Sequence, residues 1–138
     1  MLELIRLPDW DRRLARLVNH HKSMPGVWGV SDCLLTVADA IEAMTGTDPA
    51  ADIRGRYKSE AGAARILRKR GFDDVEMALA SLFPMVGRLM AQRGDVGVVG
   101  RNGMLCAGFI TDLGFAVKTE AGLSFVSQMT IKSAFKVG

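Results

Sequence analysis

The hydrophobic period of this chain changes once, at Gly94-Asp95. Before that point apolar residues recur at helical spacing, and after it they come in short runs separated by turn residues. Trp10, Leu14, Leu17 and Val18 share one face of a first amphipathic helix, which should end near Asn19-His20-His21-Lys22 because Met24-Pro25-Gly26 follows. A second helix starts at Ser31-Asp32-Cys33, where Ser31 and Asp32 are both capable caps. Its broad apolar surface (Leu34, Leu35, Val37, Ala38, Ile41, Met44) marks it as the buried central helix, and Gly46 stops it. A third helix is expected from about Ser59 to Arg70 with Ala61, Ala64, Ile66 and Leu67 inward, and a fourth from Val75 to Leu82. Val96-Val99, Leu105-Ile110, Phe115-Val117, Leu123-Val126 and Ile131-Val137 then read as strands of a small antiparallel sheet packed on the helices. The class is α+β.

With 138 residues the chain suits one domain, 1–138, and one core. Its 49% hydrophobic and 24% charged residues are those of a folded globular protein and exclude a disordered one. A net charge of +3, with scattered arginines, does not make the dense basic surface of a nucleic-acid binder. Arg12-Arg13-Leu14-Ala15-Arg16 and Arg65-Ile66-Leu67-Arg68-Lys69-Arg70 fit solvated helix faces. No run approaches the roughly 20 apolar residues of a membrane span, and Met1 to Arg6 do not read as a secretion signal. A protein soluble where it is made is expected. The acidic residues lack calcium-loop spacing, and Gly94-Asp95-Val96-Gly97 and Gly100-Arg101-Asn102-Gly103 are turns, not phosphate loops, so neither metal nor cofactor is expected.

Two cysteines, Cys33 and Cys106, match no metal motif. A thiol in the first turn of a helix meets unpaired N–H groups and the positive end of the dipole, which lower its pKa from a reference of about 8.5 and suit a nucleophile. The same position suits an inert buried cysteine. The run Trp28-Gly29-Val30-Ser31-Asp32-Cys33 resembles the tryptophan-glycine, aspartate-cysteine signature at the nucleophile of NlpC-type papain-like cell-wall peptidases. Gln92-Arg93-Gly94-Asp95-Val96-Gly97-Val98-Val99 resembles the glycine-aspartate turn that opens the first sheet strand of that family. More narrowly, Trp28 to Asp39 together with Asp48 to Tyr57 resembles a branch of small proteins in tailed-phage and prophage gene sets.

The resemblance implies a papain-like fold with N-terminal helices, a central helix bearing Cys33 and a C-terminal antiparallel sheet. Active members carry a catalytic histidine on the second sheet strand. Aligned by its glycine, Leu105-Cys106-Ala107-Gly108-Phe109 occupies that segment, so Cys106 stands at the histidine position, and a neutral thiol does not replace imidazole as a base. Asp32 reads as a cap, and Asp39 as a solvated helix position. His20 and His21 read as a solvated helix end; His21 is the residue the fold would have to bring toward Cys33 to restore a base. Cys33 and Cys106 facing each other would permit a disulfide.

Three functions follow as expectations. The first is a structural tail-tip or baseplate component of a phage virion, made in the host cytoplasm, whose partners are other tail-tip, baseplate and hub proteins. Phe83, Met85, Leu89 and Met90 are candidates for its interface, or for the core. The second is a working cysteine peptidase or amidase that opens peptidoglycan during genome delivery, with Cys33 as nucleophile. The third is an intracellular binding module without connection to virions.

Overall fold

Four helices precede a six-stranded sheet in the computed structural model, which describes residues 1–138. They are α1 (Trp10–His21), α2 (Cys33–Thr45), α3 (Glu60–Lys69) and α4 (Val75–Leu82). The strands are β1 (Met85–Val86), β2 (Val96–Arg101), β3 (Met104–Thr111), β4 (Gly114–Thr119), β5 (Gly122–Val126) and β6 (Ser133–Phe135), with a 3-10 turn at Gln128–Thr130 before β6. Every pairing is antiparallel, in the spatial order β1-β6-β2-β3-β4-β5. No helix is long and apolar enough to cross a membrane.

Local chemistry places the helix starts. Asp32, Ser59 and Asp74 each sit in extended backbone and accept a hydrogen bond from the N–H three residues on, so α2, α3 and α4 begin at capped N-termini. The β2–β3 hairpin turns through Asn102 and Gly103 with φ of 52° and 78°, the two positive values that match a two-residue turn to strand twist.

The main core lies between the helices and one sheet face. Leu14 and Val18 of α1, Val37, Ile41 and Met44 of α2, and Leu79 of α4 pack against Val96 and Val98 of β2, Ala107 and Phe109 of β3, Ala116 of β4 and Phe135 of β6. The alternate residues Val99, Ile110, Phe115 and Val117 face the other side, covered by Ala91 and Ile131 from the connecting loops. The opposite flank of α2, through Leu35 and Ala38, is buried under Ala50, Ile53 and Tyr57. Burial on both flanks explains why α2 is apolar nearly all round.

Several expectations are corrected. The segment Ile131 to Val137 is not one strand, since its pairing is confined to Ser133–Phe135, and Met85–Val86, read as the end of a helical region, pairs with β6 as a short edge strand. On α3 Ile66 and Leu67 pack inward as expected, but Ala61 is exposed and Ala63 joins Ile66 against the Tyr57 cluster. Phe83 is core at 1% exposure, whereas Met85, Leu89 and Met90 are exposed.

Candidate functional site

Asp32 organises the approach to α2. Its Oδ1 accepts from the Leu35 N–H at 2.9 Å, and its Oδ2 accepts from the Gly29 N–H at 3.0 Å and from the Tyr57 hydroxyl at 2.6 Å. One buried carboxylate thus joins the helix end, the loop before it and the segment after it. Burial and the bond to Asp32 push the Tyr57 hydroxyl well above its ordinary pKa, so it stays a donor. Gly29 has φ of +80°, and a Cβ there would collide with the Tyr57 carbonyl oxygen; only glycine lets the two backbones approach. The Trp-Gly and Asp-Cys parts of the motif are therefore coupled through Tyr57.

Cys33 opens the first turn of α2 beside a split in the sheet. β3 pairs with β2 from Met104 to Phe109 but with β4 only from Phe109 to Thr111, so its first residues present a free edge. The Ala107 N–H on that edge and the Cys106 thiol are the neighbours that act on the Cys33 sulfur. Both cysteines are free thiols and partly exposed. They line an open groove of about 620 Å3 whose walls include Trp28, Glu60, Arg101, Met104 and Lys118. Where the sequence admitted a disulfide, two free thiols line one groove.

The pair shares its acidity. The hydrogen bond from Cys33, with help from Arg101, lowers Cys106 to about 7 against the opposition of burial and Glu60. That bond, burial and the neighbouring thiolate and Asp32 charges hold Cys33 well above the ordinary thiol range, the Ala107 N–H notwithstanding. The first proton leaves easily and the second does not. No imidazole lies in the groove, Asp32 is occupied by its three donors, and Glu60 acts on Cys106 only through space.

His21 is elsewhere. It is 2% exposed, not solvated, and its Nε2 lies 2.9 Å from Oδ2 of Asp39. Asp39 is six residues along α2 from Cys33, about 9 Å of helical rise, so the imidazole is held away from the thiol. Nor is Asp39 a solvated position: it pairs at 2.6 Å with Arg54, which also binds Asp48 at 2.7 Å. Burial alone would raise the Asp39 carboxyl, but His21 and Arg54 hold it below the ordinary value of 3.8. A depressed carboxyl stabilises the fold above its unfolded pKa, and that contribution is lost as pH falls through the folded value. Urea midpoints for wild type and Asp39→Asn should therefore differ at pH 7 and converge below about pH 3.8; a gap independent of pH would show that the ion pairs do not contribute.

A family model described as "Domain of unknown function (DUF6950)" matches residues 5–137. The chain belongs to this family. No curated protein and no solved structure matches it.

Within the matched span the DUF6950 domain brings together Asp32, Cys33 and Cys106 and leaves His21 out. No three or more His, Cys, Asp or Glu side chains gather as metal ligands. The groove residues Glu60, Arg101 and Lys118 were not singled out from the sequence. Lys118 is buried and its Nζ donates a hydrogen bond to the Met24 carbonyl at 2.8 Å, with burial lowering its pKa. Its one sequence signal is a lysine at an inward position of an apolar strand. The DUF6950 domain also holds a mostly apolar cleft of about 340 Å3 between α2, α3 and α4, rimmed by the Arg70–Asp52 ion pair at 2.7 Å.

Proposed function

We propose that this chain is a papain-like domain of the NlpC type that has given up hydrolysis and serves as a structural part of a phage tail tip or baseplate, contacting other tail proteins. The observation that carries the first half is the thiol partner: the sulfur of Cys106 occupies the place beside Cys33 where a hydrolase needs a base, while both histidines lie outside the groove. The helix-borne cysteine facing a sheet strand accords with a papain-like layout. The virion role rests on the resemblance of Trp28–Asp39 and Asp48–Tyr57 to the tailed-phage branch. The exposed side chains of Met85, Leu89 and Met90, near the β1 edge of the sheet, offer apolar surface for a neighbouring tail protein.

The alternative reading, a peptidoglycan amidase or endopeptidase with Cys33 as nucleophile, draws on the open groove and on the Ala107 N–H aimed at the Cys33 sulfur. Zymography on purified cell wall separates the two. No clearing by the wild type is expected, and clearing that vanishes in Cys33→Ala would replace the structural reading with the enzymatic one. Mass spectrometry of purified particles from an induced lysogen should find the chain at a fixed ratio to tail-tube protein; its absence from the particles would end the virion role.

A further inference from the structure

Two neighbouring free thiols lining one open groove constitute a reactive pair whatever larger assembly the chain belongs to. Both cysteines are partly exposed free thiols, and both line the same groove. The split between β3 and β4 is the structural cause, because it lets the N-terminal turn of α2 reach the free edge of β3 directly. From this geometry we infer that Cys33 and Cys106 form a thiol–disulfide exchange site that reduces low-molecular-weight disulfides, with Cys106 as the attacking thiol and Cys33 as the resolving one.

The assignment follows from which sulfur carries the charge. Cys106 receives the hydrogen bond from Cys33 and the field of Arg101, and its pKa near 7 is close to the optimum for an attacking thiol at neutral pH. In the first step the Cys106 thiolate attacks one sulfur of a disulfide RSSR. The RS–SR bond breaks, one RS⁻ departs and takes a proton from water, and Cys106 holds a mixed disulfide with the other R–S group. Cys33 has then lost its hydrogen-bond acceptor. It releases its proton to groove water and attacks the Cys106 sulfur, forming the Cys33–Cys106 bond of about 2.05 Å and expelling the second RS⁻, which is protonated. Two electrons pass from the two thiols to RSSR, giving one protein disulfide and two RSH. The charged groups that face the pair are Asp32, Glu60, Arg101, Lys118 and Glu120. Arg101 and the exposed ring of Trp28 give the groove contacts for a small peptidyl disulfide, and oxidised glutathione is the probe.

This chemistry is independent of the virion role, and a negative zymogram leaves it untouched. The full chain, purified with reductant and then freed of it, is incubated with oxidised glutathione at pH 7.5, alkylated and mapped by mass spectrometry without reduction. The expected result is a Cys33–Cys106 cross-linked peptide with no lasting glutathione adduct. Cys33→Ser should instead accumulate glutathione on Cys106. Cys106→Ser should react about tenfold more slowly at Cys33 or not at all. Wild-type protein that keeps both thiols, or carries glutathione without a bridge, overturns the proposal, as do equal rates in the two serine variants. The wild-type bridge is read without any variant, so a variant that fails to fold leaves the test decisive.

Discussion

Asp32→Ala is expected to lower the free energy of unfolding by about 3 to 4 kcal/mol, more than the about 1.5 to 3 kcal/mol of a single hydrogen bond to a charged group, and less than three such bonds summed because the three donors share one acceptor and their contributions are not additive. Two of those donors, the Gly29 N–H and the Tyr57 hydroxyl, are buried and have no other partner, and the third is the first-turn amide of Leu35. Asp32→Asn retains an acceptor for the helix cap but presents an NH2 group to the remaining donors, so its cost should be about 2 kcal/mol. Tyr57→Phe, which removes a donor and leaves the carboxylate its two amides, should cost about 1 to 2 kcal/mol. Urea unfolding of the three variants followed by circular dichroism checks the order. An Asp32→Ala loss under about 1 kcal/mol would mean that water replaces the carboxylate and that Asp32 does not organise the site.

Asp95→Ala should be at least as damaging, at about 3 to 5 kcal/mol, the cost of breaking one side of a buried ion pair. Asp95 is 2% exposed; its Oδ1 accepts from Arg6 at 3.0 Å and from the Val137 N–H at 3.1 Å, and its Oδ2 accepts from the Gln92 N–H at 2.8 Å. Arg6 continues the clasp by donating to the carbonyls of Val137 and Arg93, both at 2.8 Å, and it stacks over Trp10 at 4.3 Å. The arrangement ties the N-terminal segment, the turn into β2 and the end of the chain to one carboxylate. Arg6→Ala leaves Asp95 its two backbone donors, so a smaller loss of about 2 to 3 kcal/mol is expected. The double variant should fall short of the sum by about 1 kcal/mol or more, because the residues share one network. Strict additivity in thermal or urea unfolding would show that the two act separately.

These two carboxylates give a physical account of both short motifs. In the first, Asp32 needs Gly29 because the backbone of Tyr57 passes where a side chain would be. In the second, Asp95 holds the turn that starts β2. Both roles are structural, and they account for the two motifs whatever chemistry the groove performs.

Much of the architecture was legible in advance. The cap at Asp32 and the hydrophobic period from about Ser59 and Val75 located three helix starts within a residue, and the glycine-punctuated runs after Gly94 located four of the strands. Strand β1 was not, because two residues carry no period and Met85–Val86 is extended only through its partners in β6. The site divides in the same way. Cys33 at the start of the central helix follows from local pattern, but the fate of His21 does not. Two adjacent histidines at a helix end look alike in sequence, yet one helical step of about 100° leaves His20 exposed and turns His21 onto Asp39.

What the amino-acid order determined by itself is the α+β division at Gly94, the capped central helix and the seat of Cys33 within it, since helix caps, turn residues and hydrophobic period act over a few neighbours. The tertiary structure alone decided that Tyr57 closes the Asp32 network, that His21 and Arg54 converge on Asp39, and that Ala107 and Cys106 meet Cys33 across the split between β3 and β4. Each of these contacts joins residues from different elements, and its existence depends on where a strand ladder opens and how a helix is rotated against its neighbour. Those quantities are set by the packing of the whole core, on which no short stretch of sequence reports.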